Sequence, residues 1–365
     1  MKPKIIFIVP SITDSHYKNR ILEFIDWGYN IEVYGFERLN HNNHKDLPYI
    51  YNIIGNIGDG NYLNRVNLYR KKFTEIGKKY RDDKVVFYLG GLDIAMFFTL
   101  LNPKAIYIYE ECDLVHTYIK AKHIFELIDK RIIRKSLLSV LTSEGFIKYH
   151  FKDYQPENVY LLENKLNPEI LNCQLLEKKK QNKDSISIGF VGVPRFESIY
   201  SFIDIFCKNY PQHSIHIFGG PIPEKFRKLA EYSNCQFHGF FKNPTDLPEI
   251  YSQIDLTLAT YDVKYDNVRY AEPNKLYESI YFETPIIVSD GCFLGDKVKN
   301  LNIGFTVNAF DTENIKLLID SLSVDEINTK IESIRSLGKD YAINNNEQFF
   351  QKLSAYTNDA LNFML

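Results

Sequence analysis

The chain has 365 residues, 45% of them apolar and 25% charged, which excludes a mostly disordered chain and fits two domains of roughly 100–200 residues each. A net charge of −2 excludes the global positive field of a nucleic-acid binder. Five cysteines, odd in number and without a C-x-x-C pair, argue against a disulfide framework and a cysteine-based zinc site, so a reducing cytoplasm is the simplest setting.

Lys4 to Val9 is a continuous apolar run closed by Pro10, the pattern of a strand buried on both faces of a parallel sheet. The run is too short for a signal-peptide core, and no apolar run approaches the ~20 residues of a membrane span. A polar loop, Ser11 to Ser15, leads into an amphipathic helix, His16 to Trp27, stopped by Gly28. Asn30 to Tyr34 is the next strand. Strands at Lys84 to Leu89, Ala105 to Tyr109, Leu138 to Leu141 and Val159 to Leu162 continue the alternation. The pattern fails between Asn164 and Asp184, and the charged stretch Glu177 to Lys183 reads as a linker. It restarts with strands at Ser187 to Val191, Ser214 to Phe218, Gln236 to His238, Leu256 to Ala259 and Ile286 to Val288, separated by helices that include Ile199 to Cys207 and Lys275 to Phe282. The tail from Asp311 is mostly helical. Strands alternating with helices predict two doubly wound α/β sheets, with ligands at the carboxyl ends of their strands. The expected domains are 1–170 and 184–340, with 341–365 a final helix packing back on the first domain.

Residues 1–170 carry 24 Lys and Arg against 21 Asp and Glu, whereas the remainder carries 20 against 25. The excess of the first half lies in two amphipathic stretches, Arg65 to Arg81 and Lys120 to Lys135. They read either as solvated helix faces or as a contact with an anionic membrane surface.

Three loops of the second half carry chemistry. In Gly189 to Ser198, Gly192 ends a strand, Arg195 offers a forked donor to phosphate, and a helix opens with free amide donors. Gly219-Gly220 ends another strand and suits either close approach of a ligand to the backbone or simply a tight turn. In Pro273-Asn274-Lys275-Leu276-Tyr277-Glu278, Pro273 precedes a helix start. Lys275 sits in the first turn, where a cation opposes the helix dipole unless an anion accompanies it. Glu278 lies at i+3 on the same face.

Pro273-Asn274-Lys275-x-x-Glu278, followed by Pro285 and a buried strand, resembles the donor-binding motif of the GT-B glycosyltransferases. The resemblance is strongest to family-four-like enzymes of bacterial capsule and lipopolysaccharide synthesis. Gly189 to Glu197, His238-Gly239-Phe240 and Asp14 to Arg20 resemble further segments of these enzymes. The resemblance implies a GT-B fold, two Rossmann-like parallel-sheet domains facing a cleft, and transfer of a sugar from a nucleotide-diphosphate donor, uridine-linked by preference. Lys275 and Arg195 would hold the diphosphate, Glu278 the ribose, and the backbone near Phe240 the base. Gly192, Gly219, Glu272 and Asn274 would complete the donor site. The sequence departs from the family in one respect: the two glutamates separated by seven intervening residues are missing, because Tyr270 stands eight positions before Glu278 and Glu272 is out of register. Inverting and retaining transfer both stay open.

An inverting reaction needs a base from the first domain. Asp113, Glu111, Asp14 and His16 stand in loops at predicted strand ends and are the candidates, or else are caps and turn residues. No metal and no cofactor are expected beyond the nucleotide sugar. A glycan or polyprenyl-diphosphate-linked acceptor would place the protein in the cytoplasm, peripheral to the inner membrane. Two alternatives remain: a nucleotide-sugar epimerase of the same architecture and a non-enzymatic two-lobed sugar-binding protein. A dinucleotide oxidoreductase would need a glycine-rich loop after the first strand, where Val9-Pro10-Ser11 has none.

Overall fold

The structure, a computed structural model, describes residues 2–37, 47–56, 62–178 and 185–362. The chain divides into two compact units, Met1–Glu163 with Asn345–Leu365, and Asn164–Asn344.

The first unit is built on a seven-stranded sheet: β1 (Lys4–Val9), β2 (Ile31–Glu37), β3 (Tyr51–Asn56), β4 (Val85–Gly90), β5 (Tyr107–Glu111), β6 (Leu138–Leu141) and β7 (Val159–Leu161). All neighbours pair in parallel in the order β3-β2-β1-β4-β5-β6-β7. The order reverses between β1 and β4, the switch point at which such sheets bind ligands. The central strands are buried along almost their whole length, which explains their unbroken apolar sequence. Helix Ser15–Asp26 covers one face with Tyr17, Arg20, Ile21 and Phe24, a helical stripe with one arginine in it. Asp14 caps that helix by accepting the His16 amide at 2.9 Å.

The second unit carries six strands: β8 (Ser187–Val191), β9 (Ser214–Phe218), β10 (Cys235–Gly239), β11 (Leu256–Ala259), β12 (Ile286–Ser289) and β13 (Gly304–Val307). Their order is β10-β9-β8-β11-β12-β13, again all parallel, with the switch point between β8 and β11. No described helix is long and apolar enough to cross a membrane.

Three differences from the sequence reading have physical causes. The edge strands β3 and β13 have no continuous apolar run: β3 is half-buried with polar Asn52 and Asn56, and β13 is four residues opening on a glycine. The boundary expected at residue 170 falls instead at 163/164, because Leu166 and Ile170 pack into the core of the second unit and Leu166 bridges to Ile343. For the same reason residues 341–344 stay with the second unit, where Ala342 is buried. Most of the stretch read as a linker lies outside the described residues.

The last helix, Glu347–Asn362, is part of the first unit. Phe350 stacks on Trp27 at 4.8 Å and meets Phe24 edge-on at 5.0 Å, and Phe349 reaches Tyr160 at 5.4 Å. Lys352 Nζ donates to the Glu157 carbonyl at 2.6 Å. Truncating Phe350 to alanine empties an aromatic site in a closed core, which costs about 3–5 kcal/mol. Trp27 is the sole tryptophan, so its fluorescence reports this contact directly. Phe350→Ala is expected to red-shift the native emission and lower the denaturant midpoint followed at Trp27. An unchanged midpoint would show that the helix contributes nothing to the first unit.

Candidate active site

The second unit gathers most of the residues read as donor-binding. The floor is backbone. Gly192 follows β8 with φ 129° and Gly219 follows β9 with φ 121°, both in the region that favours glycine. A Cβ on Gly219 would lie 2.4 Å from the Gly192 carbonyl oxygen, so the two strand ends touch through their main chains. The Gly192 amide donates to the Phe218 carbonyl at 2.7 Å, and the Gly219 amide to that of Gly239 at 2.6 Å.

Lys275 lies over this floor. Its Nζ is 3.1 Å from where a Gly192 Cβ would stand, and it faces the rings of Phe190 and Tyr261 at 5.1 and 6.0 Å. Among the described residues, no carboxylate is within ion-pair distance of this half-buried ammonium. It rides on the first turn of helix Asn274–Tyr281, whose amino end has no side-chain cap. An uncompensated cation and uncapped amides at one helix end form an anion site. Glu278, one turn further on, is buried, and its Oε2 accepts the Tyr251 hydroxyl at 2.7 Å. Burial pushes its carboxyl pKa up, against the opposing pull of Lys275 and the Tyr251 hydroxyl. Asn274 is exposed on the same turn. Phe240 is 79% exposed, yet its ring lies 3.4 Å from where a Gly220 Cβ would be, which makes an open aromatic face beside the glycine floor.

The structure sets two residues apart from this group. The Glu272 carboxylate, 1% exposed, is taken by Lys297, and its carbonyl accepts from Asn164 Nδ2 at 3.2 Å. The Arg195 guanidinium is exposed and packs on the Phe196 ring. The helix after Gly192 also differs from expectation. Asp262 takes the Ser198 amide at 2.9 Å and the Glu197 amide at 3.4 Å, so these terminal donors are already spent. Sequence reasoning missed this cap because Asp262 is 64 residues from Ser198 in the chain and meets it only where β8 and β11 adjoin.

The candidates of the first unit lie at the carboxyl ends of β1 and β5, and their surroundings separate them. Glu110 and Glu111 point to opposite faces of β5. Glu110 is bonded to Arg20 at 3.1 Å and to His16 Nε2 at 3.1 Å. Burial alone would raise its pKa, but Arg20 and His16 pull it down to about 2. His16 stays partly accessible. Burial disfavours its charge, yet Cys112 and Glu110 hold its pKa well above the ordinary imidazole value. Asp113 is exposed, and Asp14 is occupied as the cap of helix Ser15–Asp26. Glu111 is fully buried against His150 at 2.9 Å, where burial and the nearby Asp129 raise its pKa. It therefore cannot reach a substrate. Sequence reading counted Glu110 among the strand-end carboxylates but missed its contacts with His16 and Arg20. The strand-end position of Glu110 was visible, but its choice of face was not.

Comparisons with known proteins bear on the fold and the class of protein. Residues 175–340 match the family model described as Glycosyl transferases group 1. The chain is 20% identical over 349 residues to the succinoglycan biosynthesis protein ExoL of Rhizobium meliloti (strain 1021), a match covering 88% of this chain and 85% of that one. Among solved structures, Anabaena Alr3699/HepE in complex with UDP superposes with a TM-score of 0.71 at 13% identity, covering 97% of this chain and all of that one. WaaG, a glycosyltransferase involved in lipopolysaccharide biosynthesis, superposes with a TM-score of 0.62 at 15% identity over 98% of this chain and 99% of that one. The fold is thus the two-sheet GT-B fold. Residues 175–340 are a Glycosyl transferases group 1 domain, and the protein is a glycosyltransferase.

Gly219→Ala would drive a Cβ into the Gly192 carbonyl at a backbone angle that disfavours any side chain. The expected result is a loss of about 1–3 kcal/mol from backbone strain, with distortion of the anion site. Thermal denaturation and nucleotide titration check it, and wild-type behaviour in both would refute the close-approach reading.

Proposed function

We propose that the protein transfers a sugar from a uridine-diphosphate donor to a glycan or polyprenyl-diphosphate-linked acceptor in cell-surface polysaccharide synthesis. The observation that carries the donor half is the uncompensated Lys275 ammonium above the Gly192 backbone at an uncapped helix end. The donor diphosphate lies there, held by Lys275 with Arg195 swinging in from the surface. Glu278 uses the oxygen not bonded to Tyr251 to accept from the ribose hydroxyls, and the base rests near the Gly239 backbone and the Phe240 ring. Asn274 adds its amide at the same helix end. The UDP bound to HepE supports the choice of nucleotide, and the parts of ExoL in succinoglycan biosynthesis and of WaaG in lipopolysaccharide biosynthesis support the choice of pathway class. Transfer needs no cation in this reading, because Lys275, Arg195 and the helix dipole carry the phosphate charge. The base that receives the acceptor proton is drawn from Asp113 and His16, the two first-unit candidates with accessible side chains, and His16 serves only in its neutral form, which Cys112 and Glu110 disfavour.

Attachment to an anionic cytoplasmic membrane face belongs to the same proposal. Helix Lys122–Lys135 exposes Ile124, Leu127, Arg131 and Arg134, spaced as one face, and Val115, Tyr118 and Ile119 are exposed just before it. Lys130, by contrast, is spent on Glu126 at 2.7 Å, and in the other basic stretch Lys79 is spent on Glu32 at 2.7 Å.

Lys275→Ala is expected to weaken UDP binding by about 1.5–3 kcal/mol, roughly ten- to a hundredfold, without loss of fold. Unchanged affinity by calorimetry would remove the diphosphate assignment. Glu278→Ala should weaken UDP more than inorganic diphosphate, and equal losses would exclude the ribose role. Wild-type protein should sediment with anionic vesicles at low salt. Joint replacement of Leu127, Arg131, Arg134 and Lys135 by Ser and Gln should abolish this, and failure of the wild type to bind would make the helix an ordinary solvated face.

A further inference from the structure

Four titratable side chains converge in the first unit on the face of β5 opposite Glu110. Glu111 ends the strand, His116 sits in the short turn Val115–Tyr118, Asp129 comes from helix Lys122–Lys135 and His150 from helix Glu144–Phe151. All four are buried. His150 Nε2 lies 2.9 and 3.1 Å from the two Glu111 oxygens, and His116 Nδ1 lies 3.2 Å from Asp129 Oδ2. Ligand atoms of Glu111, Asp129 and His150 all fall within 4.8 Å of one another.

The charge balance of this cluster is unusual. On the other face of the same strand, Glu110 is neutralised by Arg20. Among the described residues, no lysine or arginine pairs with Glu111 or Asp129, although both carboxylates are buried side by side. Neither Asp129 oxygen has a hydrogen-bond partner, and His116 Nδ1 stands beside Oδ2 without forming a hydrogen bond to it. Buried carboxylate oxygens left without donors are costly unless a cation meets them.

We propose that Glu111, Asp129, His116 and His150 bind one divalent transition-metal cation of the zinc type. Two carboxylates balance its charge, and two neutral imidazoles complete a four-ligand nitrogen and oxygen set. Bonds near 2.0 Å in a tetrahedron put neighbouring ligand atoms about 3.3 Å apart, close to the 2.9 Å of His150 to Glu111 and the 3.2 Å of His116 to Asp129; the Glu111, Asp129 and His150 atoms lie within 4.8 Å of one another, and His116, next to Asp129 alone, closes in as the fourth ligand when the cation binds. His116 is held from behind, its Nε2 lying 3.2 Å from the Tyr149 hydroxyl, which leaves Nδ1 to face the cluster. Burial of all four groups leaves no open position for a substrate, so the site is structural. It ties the end of β5, from which the Asp113 loop departs, to two helices. It does not depend on the donor-site reading.

The test is metal content and metal-linked stability of the full chain. Wild-type protein purified without a metal-affinity step should carry close to one equivalent of zinc or a like cation by mass spectrometry. Chelator-stripped protein should lose several degrees of thermal midpoint and regain them with zinc chloride alone. Cobalt(II) should give the visible absorption of a tetrahedral site. Glu111→Gln should lower the stoichiometry, while His238→Ala removes the only other close histidine pair among the described residues, His216 with His238, and should leave it intact. Should the Glu111 variant fail to fold, the wild-type measurements decide alone. Wild-type protein with no stoichiometric metal, no stability change on chelation or zinc addition and no cobalt spectrum would overturn the proposal and leave a network of shared protons.

Discussion

The candidate donor site depends on two glycine backbones in contact. At the carboxyl ends of β8 and β9 the main chain of Gly219 sits where no Cβ could be placed beside the Gly192 carbonyl. A parallel sheet spaces its strands at about 4.8 Å, and side chains at their ends would normally fill the space above them. Glycine at both ends leaves that space open, and the Lys275 side chain extends into it from a helix that begins beyond β11. The sheet register brings these loops together. The reversal of strand order between β8 and β11 keeps the loops after both strands from being bridged by one crossover, so their residues share one rim.

Burial of charge follows a different rule in each unit. In the second unit the buried carboxylates have partners suited to fixed geometry: Glu272 has Lys297, Asp262 has two backbone amides, and Glu278 has the Tyr251 hydroxyl. In the first unit, alternation along β5 sends Glu110 to an arginine and Glu111 to histidines and a second carboxylate. One strand therefore carries two adjacent glutamates whose pKa values move in opposite directions. The difference arises from the helices on either side, since the two residues share one backbone and one depth.

Much of this was legible in the sequence. The buried central strands declare themselves as unbroken apolar runs, because both of their faces are covered. The Lys275/Glu278 spacing declares a helical face, because residues three apart on a helix are neighbours. The edge strands β3 and β13 were not legible, since half-burial and short length erase the period. Long-range polar contacts were not legible either. Asp262 on the Ser198 amide, Lys297 on Glu272 and Arg20 on Glu110 join residues 64, 25 and 90 positions apart, and only the folded sheet decides these partners. The placement of Glu111 shows the same limit. A strand-end carboxylate in a sequence looks alike whether it faces a helix or the solvent.

The departure from the paired-glutamate pattern of the family now has a structural content. Glu272 is the only carboxylate between Tyr270 and Glu278, and it is spent on Lys297 with its carbonyl held by Asn164. It cannot at once compensate Lys297 and serve a substrate without leaving a lysine buried and unpaired, which costs several kcal/mol. Lys275 stands in the opposite condition, a half-buried cation that no carboxylate among the described residues meets at ion-pair distance. The segment thus holds one ion pair, Glu272 with Lys297, and one ammonium at the amino end of a helix that no carboxylate among the described residues meets at ion-pair distance. A substrate that neutralises it must bring negative charge to that point, as the diphosphate of a nucleotide sugar does and a neutral sugar does not. Lys275 and the buried Glu278 carboxylate belong to a single helical turn, and the ammonium of that turn lies over the glycine floor.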